Sequence, residues 1–448
     1  PSPHIIPPSQ QWDGNDGRWS TFRIQVGSPG QEFRILPSTA GSEIFLPLSG
    51  GCSNENDPEN CSELRGIEDV NGFESSGLNV SLSSTWSRTG TYELELDSHL
   101  GHNARGLYGK DALILGAIQQ AQGPMDVSRR DPVVLHGQTI AGMVSKQWFL
   151  GLMGLNTRPA SFSTNSPPVP SLLYNLKNQS YIPSMTYAYT AGAAYPSRTQ
   201  VGSLILGGYD ATRLSPTDLT IGFAANDYKA PVVGVISIVG MDTLQGYVSF
   251  TTSSTFLAAV DSSIPGLWLP ESVCDAFEVA FGLSFDSSTE LYLVNDTIHE
   301  RLTILNPSIT FKIANNTDNN GRSTNIVLPY AAFDLQASWP IYETATRYFP
   351  IRRAANDSQY TLGRTLLQEA YLIVDFERQN FTLAQALFPQ PDAEPEIVSI
   401  ESPGNVSVNR SAAPHKLKTG VLIGIAVGAA IVLLCILVLA WYFWQRRR

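Results

Sequence analysis

Two short stretches of this chain repeat one another and carry its most suggestive side chains. Leu36 to Pro47 reads LPSTAGSEIFLP and Ala259 to Pro270 reads AVDSSIPGLWLP. Each is a strand, a turn of small residues, then an apolar strand ending in proline. The second turn, Val260-Asp261-Ser262-Ser263, holds a carboxyl; the first, Pro37-Ser38-Thr39-Ala40, has the hydroxyl of Ser38 at the matching place. A carboxyl takes or gives a proton in the usable pH range, whereas a serine hydroxyl only hydrogen-bonds. Glu43, on the outgoing strand, and Asp97, further along, read as solvated surface carboxylates. The histidines (His4, His99, His102, His136, His299 and His415) show no ligand spacing with Cys, Asp or Glu. No metal site and no other cofactor is therefore expected. No Ser-His-Asp arrangement or phosphate-cradling glycine loop stands out.

The elements that must position these turns are strands. Apolar runs such as TFRIQV, EFRILP, GSLILGG, GLWLP, SITFKI and AYLIVDF alternate with Gly, Pro, Asn and Ser clusters. Helical periodicity is confined to short stretches, around Pro170 to Leu176 and Ser272 to Phe281. Later in each half comes a short segment ending in glycine: Leu152-Met153-Gly154, then Thr361-Leu362-Gly363. Two β lobes related by approximate two-fold symmetry would bring both turns to one central cleft.

A length of 448 residues suits two lobes with appendages, and 43% hydrophobic residues suffice for large cores. Only 15% are charged, and the net charge is -11 without any basic stripe, which argues against nucleic-acid binding. Cys52 and Cys61 bracket a polar loop and read as a disulfide formed in an oxidising compartment. Cys274 reads as a buried small apolar residue. Asn60, Asn79, Asn178, Asn295, Asn315, Asn356, Asn380, Asn405 and Asn409 each begin an Asn-x-Ser/Thr triplet, which fits a glycosylated exterior. Residues 390–419 lack hydrophobic periodicity and read as a Pro/Ser/Asn-rich stalk. Residues 420–444 carry no charge and are followed by a basic end, 445–448. A helix of that length spans about 37 Å, enough for a bilayer core, and the arginines predict a cytoplasmic C-terminus. The expected topology is a single-pass membrane protein with its bulk extracellular or lumenal, at the plasma membrane or an endomembrane. Gly420, Gly424 and Gly428 would permit a helix-mediated homodimer.

In VGSPGQEFRILPSTAGSEIFLP (Val26 to Pro47), in the cysteine loop that follows, in GSLILGGYD and in TLGRTLLQEAYLIVDFERQNFTLAQA, the chain resembles the pepsin-like aspartic peptidase family. The resemblance runs from about Trp12 to Phe388. It implies an all-β, bilobal fold with pseudo-two-fold symmetry, its lobes at 12–198 and 199–389, completed here by the stalk and the transmembrane helix. The family's chemistry needs two aspartates sharing one proton, one from each lobe; one is the acid and the other the base. On that pattern Asp261 is the retained catalytic residue and Ser38 stands in place of its partner. Thr39 and Ser262 would supply hydroxyl cross-links between the turns. Ala40 and Ser263 replace the family's glycines, and Tyr92 to Gly109 lacks the usual tyrosine turn of the flap over the cleft. Loss of a positioned acid or base typically costs about 10²–10⁴ in rate. The expectation is a membrane-anchored pseudoprotease whose cleft binds an extended peptide or protein ligand. The alternatives are an active aspartic-type endopeptidase with an atypical site and a structural surface glycoprotein.

Overall fold

The two repeated stretches become two equivalent strand assemblies. In the first half, strand Gln31–Ser38 runs parallel to Gly151–Gly154, which in turn lies antiparallel to Ile44–Pro47. In the second half, Phe256–Val260 runs parallel to Thr361–Leu362, which lies antiparallel to Leu267–Leu269. Each segment ending in glycine is thus threaded between the two strands that flank its turn. The first assembly is the centre of an eight-stranded sheet, and the second belongs to another. The central strands are covered on both faces, so Gln31–Ser38 reads as a nearly continuous buried run rather than an alternating one.

A six-stranded sheet joins the halves, in the order His4–Ile6, Gln200–Leu206, Thr186–Ala193, Ala370–Asp375, Asn380–Gln385, Ile221–Gly222. The computed structural model describes residues 1–69, 74–116, 132–163, 167–223, 230–251, 255–318, 321–390 and 393–405. Pro1–Pro403 form one unit, in which a continuous apolar core extends through both halves. This is the all-β bilobal fold expected from the sequence.

Both anticipated helices form. Leu172–Asn178 starts at Ser171, whose hydroxyl accepts from Tyr174 N at 3.4 Å, and it buries Leu172, Leu173 and Leu176. Glu271–Phe281 buries Val273, Cys274, Phe277, Ala280 and Phe281 and ends at Gly282 with φ +63°. A further helix, Asp296–Leu305, buries only Leu302, so no apolar stripe announced it. Its signal was the cap: Asn295 Oδ1 accepts from Ile298 N at 2.9 Å.

The expected stalk starts too early in sequence. Residues 397–403 belong to the folded unit: Ile397–Ser399 pairs antiparallel with Gly208–Asp210. Arg378 donates to Glu401 O at 2.8 Å, and the Ser402 hydroxyl reaches both Glu377 oxygens at 2.8 Å. A strand of three residues has too little periodicity to be read from a polar, proline-containing stretch. The span 420–444, the basic end 445–448 and Asn409 lie outside the described residues, among which no helix is long and apolar enough to cross a membrane.

Cys52 and Cys61 form a disulfide with Cα atoms 5.8 Å apart. Cys274 is buried with a free thiol. Of the triplet asparagines, 60, 178, 295, 315 and 356 are exposed, while 79 and 380 are half-buried.

Candidate active site

The strand pairings carry the two turns to one place. Thr39 N donates to Ser262 Oγ, and Ser262 N donates to Thr39 Oγ1, both at 3.0 Å. Each hydroxyl then donates across to the other half: Thr39 Oγ1 to Val260 O at 3.0 Å, Ser262 Oγ to Pro37 O at 2.7 Å. Four bonds thus lock the turns in reciprocal fashion, and all the groups involved are buried. These are the residues singled out in sequence for that bracing.

Inside the brace, Ser38 Oγ accepts from Gly41 N at 2.8 Å and bonds the Ser263 hydroxyl at 2.7 Å. Its side chain is wholly buried, with its contacts internal. Asp261 Oδ1 accepts from Ser263 N at 2.8 Å, while Asp261 Oδ2 is buried without a donor among the described residues. Arg364 supports the second turn from behind. It donates to Ser262 O at 2.9 Å and Ser263 O at 2.8 Å, pairs with Asp16 and lies over the Trp19 ring.

Asp97 is not a surface carboxylate. It is 3% exposed and lies against Asp261 within hydrogen-bonding reach. Strands Ser87–Glu93 and Arg105–Leu115 form the flap hairpin, and its tip folds inward over the turns. Asp97 Oδ2 accepts from Trp148 Nε1 at 3.0 Å, and Oδ1 has no donor among the described residues. Burial, then the charge of Asp261, holds the Asp97 carboxyl well above the usual aspartate range. A proton on Asp97 donated to Asp261 would satisfy both orphaned oxygens at once.

A sequence signal for this burial existed. Leu94, Leu96 and Leu100 surround Asp97 in TYELELDSHL, and all three are buried. Glu43, also read as a surface group, is half-buried; burial raises its carboxyl while Ser42 donates to it at 3.1 Å. Tyr108 lies inside the hairpin rather than over the cleft, with its hydroxyl donating to Glu93 O at 3.3 Å.

Beside the turns is a cavity of about 270 Å³ lined by Leu36, Trp148, Phe149, Leu152, Ile264 and Trp268, with His102 and Ser263 at its wall. Ser38, Asp97 and Asp261 are not among the described residues lining it. Both carboxyls are buried beside it.

A bilobal β fold with reciprocally braced turns at its centre defines the class: an aspartic-peptidase-like protein. The eukaryotic aspartyl protease family matches residues 21–386, and the chain belongs to that family. It is 22% identical over 367 residues to an acid protease of Saccharomycopsis fibuligera, covering 82% of this chain and 80% of the relative. It is 20% identical over 401 residues to barrierpepsin of Saccharomyces cerevisiae, covering 86% of this chain and 63% of that protein. In structure it is similar to an aspartic proteinase from Irpex lacteus, with TM-score 0.52 and 15% identity over 88% of this chain and 100% of the other.

Proposed function

We propose that this chain is a non-hydrolysing member of the aspartyl protease family, a membrane-anchored glycoprotein whose aromatic-lined cleft holds an extended peptide or protein segment. One observation carries the reading. The position facing Asp261 in the paired turns is Ser38, whose hydroxyl is committed to Gly41 N and Ser263 Oγ. An alcohol there supplies neither a titrating proton nor a negative charge, so a water beside it stays unactivated. The anchoring rests on the uncharged run 420–444 and the arginines after it.

A second reading has one observation in its favour: Asp97 brings a second carboxyl to Asp261. Asp97 belongs to the flap tip, so lifting the flap to admit a substrate would take it away from Asp261. The first reading is therefore preferred. The test is hydrolysis of denatured protein and a fluorogenic peptide mixture in mild acid. No cleavage above background is expected. Cleavage that disappears in both Asp261→Asn and Asp97→Asn would establish the second reading instead. Peptide binding that raises the melting temperature distinguishes a working cleft from a purely structural glycoprotein.

A further inference from the structure

The flap tip occupies the cleft as a ligand would. Leu100 packs with Ile264 and Trp268 in a small apolar cluster. The His102 ring stands edge-on to Trp148 and Trp268, with centroids 6.0 and 6.3 Å away. Gln359 reaches across from the second half to donate to His99 O at 2.9 Å. The turn Ser98–Leu100 is bounded by Asp97 at φ +51° and Gly101 at φ +82°. Its amides bond within the turn, Leu100 N to Asp97 O at 2.9 Å and Gly101 N to Ser98 O at 3.1 Å, so it can move as one piece.

We infer that residues 94–102 are the cleft's own occupant, latched by a proton that Asp97 donates to Asp261, so that the cleft is shut in acid and opens to a peptide ligand as the pH rises. This extends the binding role proposed above, but the latch stands on contacts that do not depend on whether an open cleft cleaves. Two ionised carboxyls buried side by side repel, whereas a protonated Asp97 donates to Asp261 and accepts from Trp148.

The groups around the pair do not replace that proton. Arg364 favours the charged form of Asp97, yet is outweighed by burial and by Asp261. Burial, with Arg352 and His99 nearby, pushes the His102 imidazole down to about 4, so it is uncharged at neutral pH. The Tyr187 hydroxyl, near Asp261, is held protonated by burial. Asp97 has its ordinary value of 3.8 as reference when the flap is open and solvated, and a raised one when shut. Closure is therefore fully favoured below the ordinary value and loses stability as pH climbs through the raised one.

Hydrogen exchange of residues 94–102, corrected for its intrinsic pH dependence, tests this in the full chain. In the unmodified protein, exchange should rise by about tenfold per pH unit within the titration window. Asp97→Asn keeps the shape and donates to Asp261 at every pH, so its profile should stay flat. Asp261→Asn, a second variant in case the first misfolds, removes the neighbouring charge but leaves Asp97 buried, so its rise should be smaller overall and end at lower pH. A flat profile in the unmodified protein, or the same rise in the variants, would overturn the latch. Exchange reads the flap and not peptide turnover, so failure here and failure of the proposed function are separable.

Discussion

Arg364 shows what a single side chain contributes at this centre. Its guanidinium ties the backbone of the Asp261 turn to Asp16 and to the Trp19 ring, and it is 2% exposed. Arg364→Met would leave Ser262 O and Ser263 O without that donor and Asp16 without its ion-pair partner, its remaining side-chain bond being from Trp19 Nε1. The expected loss is about 3–5 kcal/mol in urea unfolding, of the size seen when one partner of a buried ion pair is removed. Nothing in the sequence marked Arg364 or Asp16, because their bonds span halves far apart in the chain. Ser38, Thr39, Asp261 and Ser262 were legible because each sits in a repeated turn. Asp97 was missed for a different reason: acidic residues are usually solvated, and only the leucines around it hint otherwise.

At the scale of elements, the threaded segments make the strictest demand on sequence. A Cβ on Gly154 would lie 2.6 Å from both Gly41 O and Glu43 N. On Gly363 it would meet Ile264 O at 2.6 Å and press still closer on Gly266 O. Neither neighbour can retreat, since each belongs to the backbone of a turn that the threaded strand itself holds. Gly363→Ala should cost about 2–4 kcal/mol, read as a drop in the urea midpoint with an unchanged slope. The sequence displayed these glycines and most of the central strands because strands covered on both faces are unbroken apolar runs. Helix Asp296–Leu305 and strand Ile397–Ser399 were not visible, one burying a single residue and the other only three long. Elements held by hydrogen bonds to distant partners leave little periodicity of their own.

At the scale of the whole molecule, the sheet joining the halves takes strands from His4–Ile6 through to Asn380–Gln385. The family resemblance starts near Trp12, so the first of these strands, His4–Ile6, carries none of it. Its pairing with Gln200–Leu206 is antiparallel, His4 opposite Leu206.

The segment 397–402 has a bearing on where a protease could cut this chain. A protease must draw several residues of backbone into its own groove, and here the Ser399 to Gly208 pairing and the Ser402 bonds to Glu377 withhold them. Brief digestion should trim the chain from its C-terminal side and stall near Ser402, giving one released fragment by mass spectrometry. Glu377→Ala, which removes the clasp on Ser402, should let trimming run further toward Pro389. Any cut beyond Ser402 would therefore leave the body with its last paired strand, Ile397–Ser399, still in place.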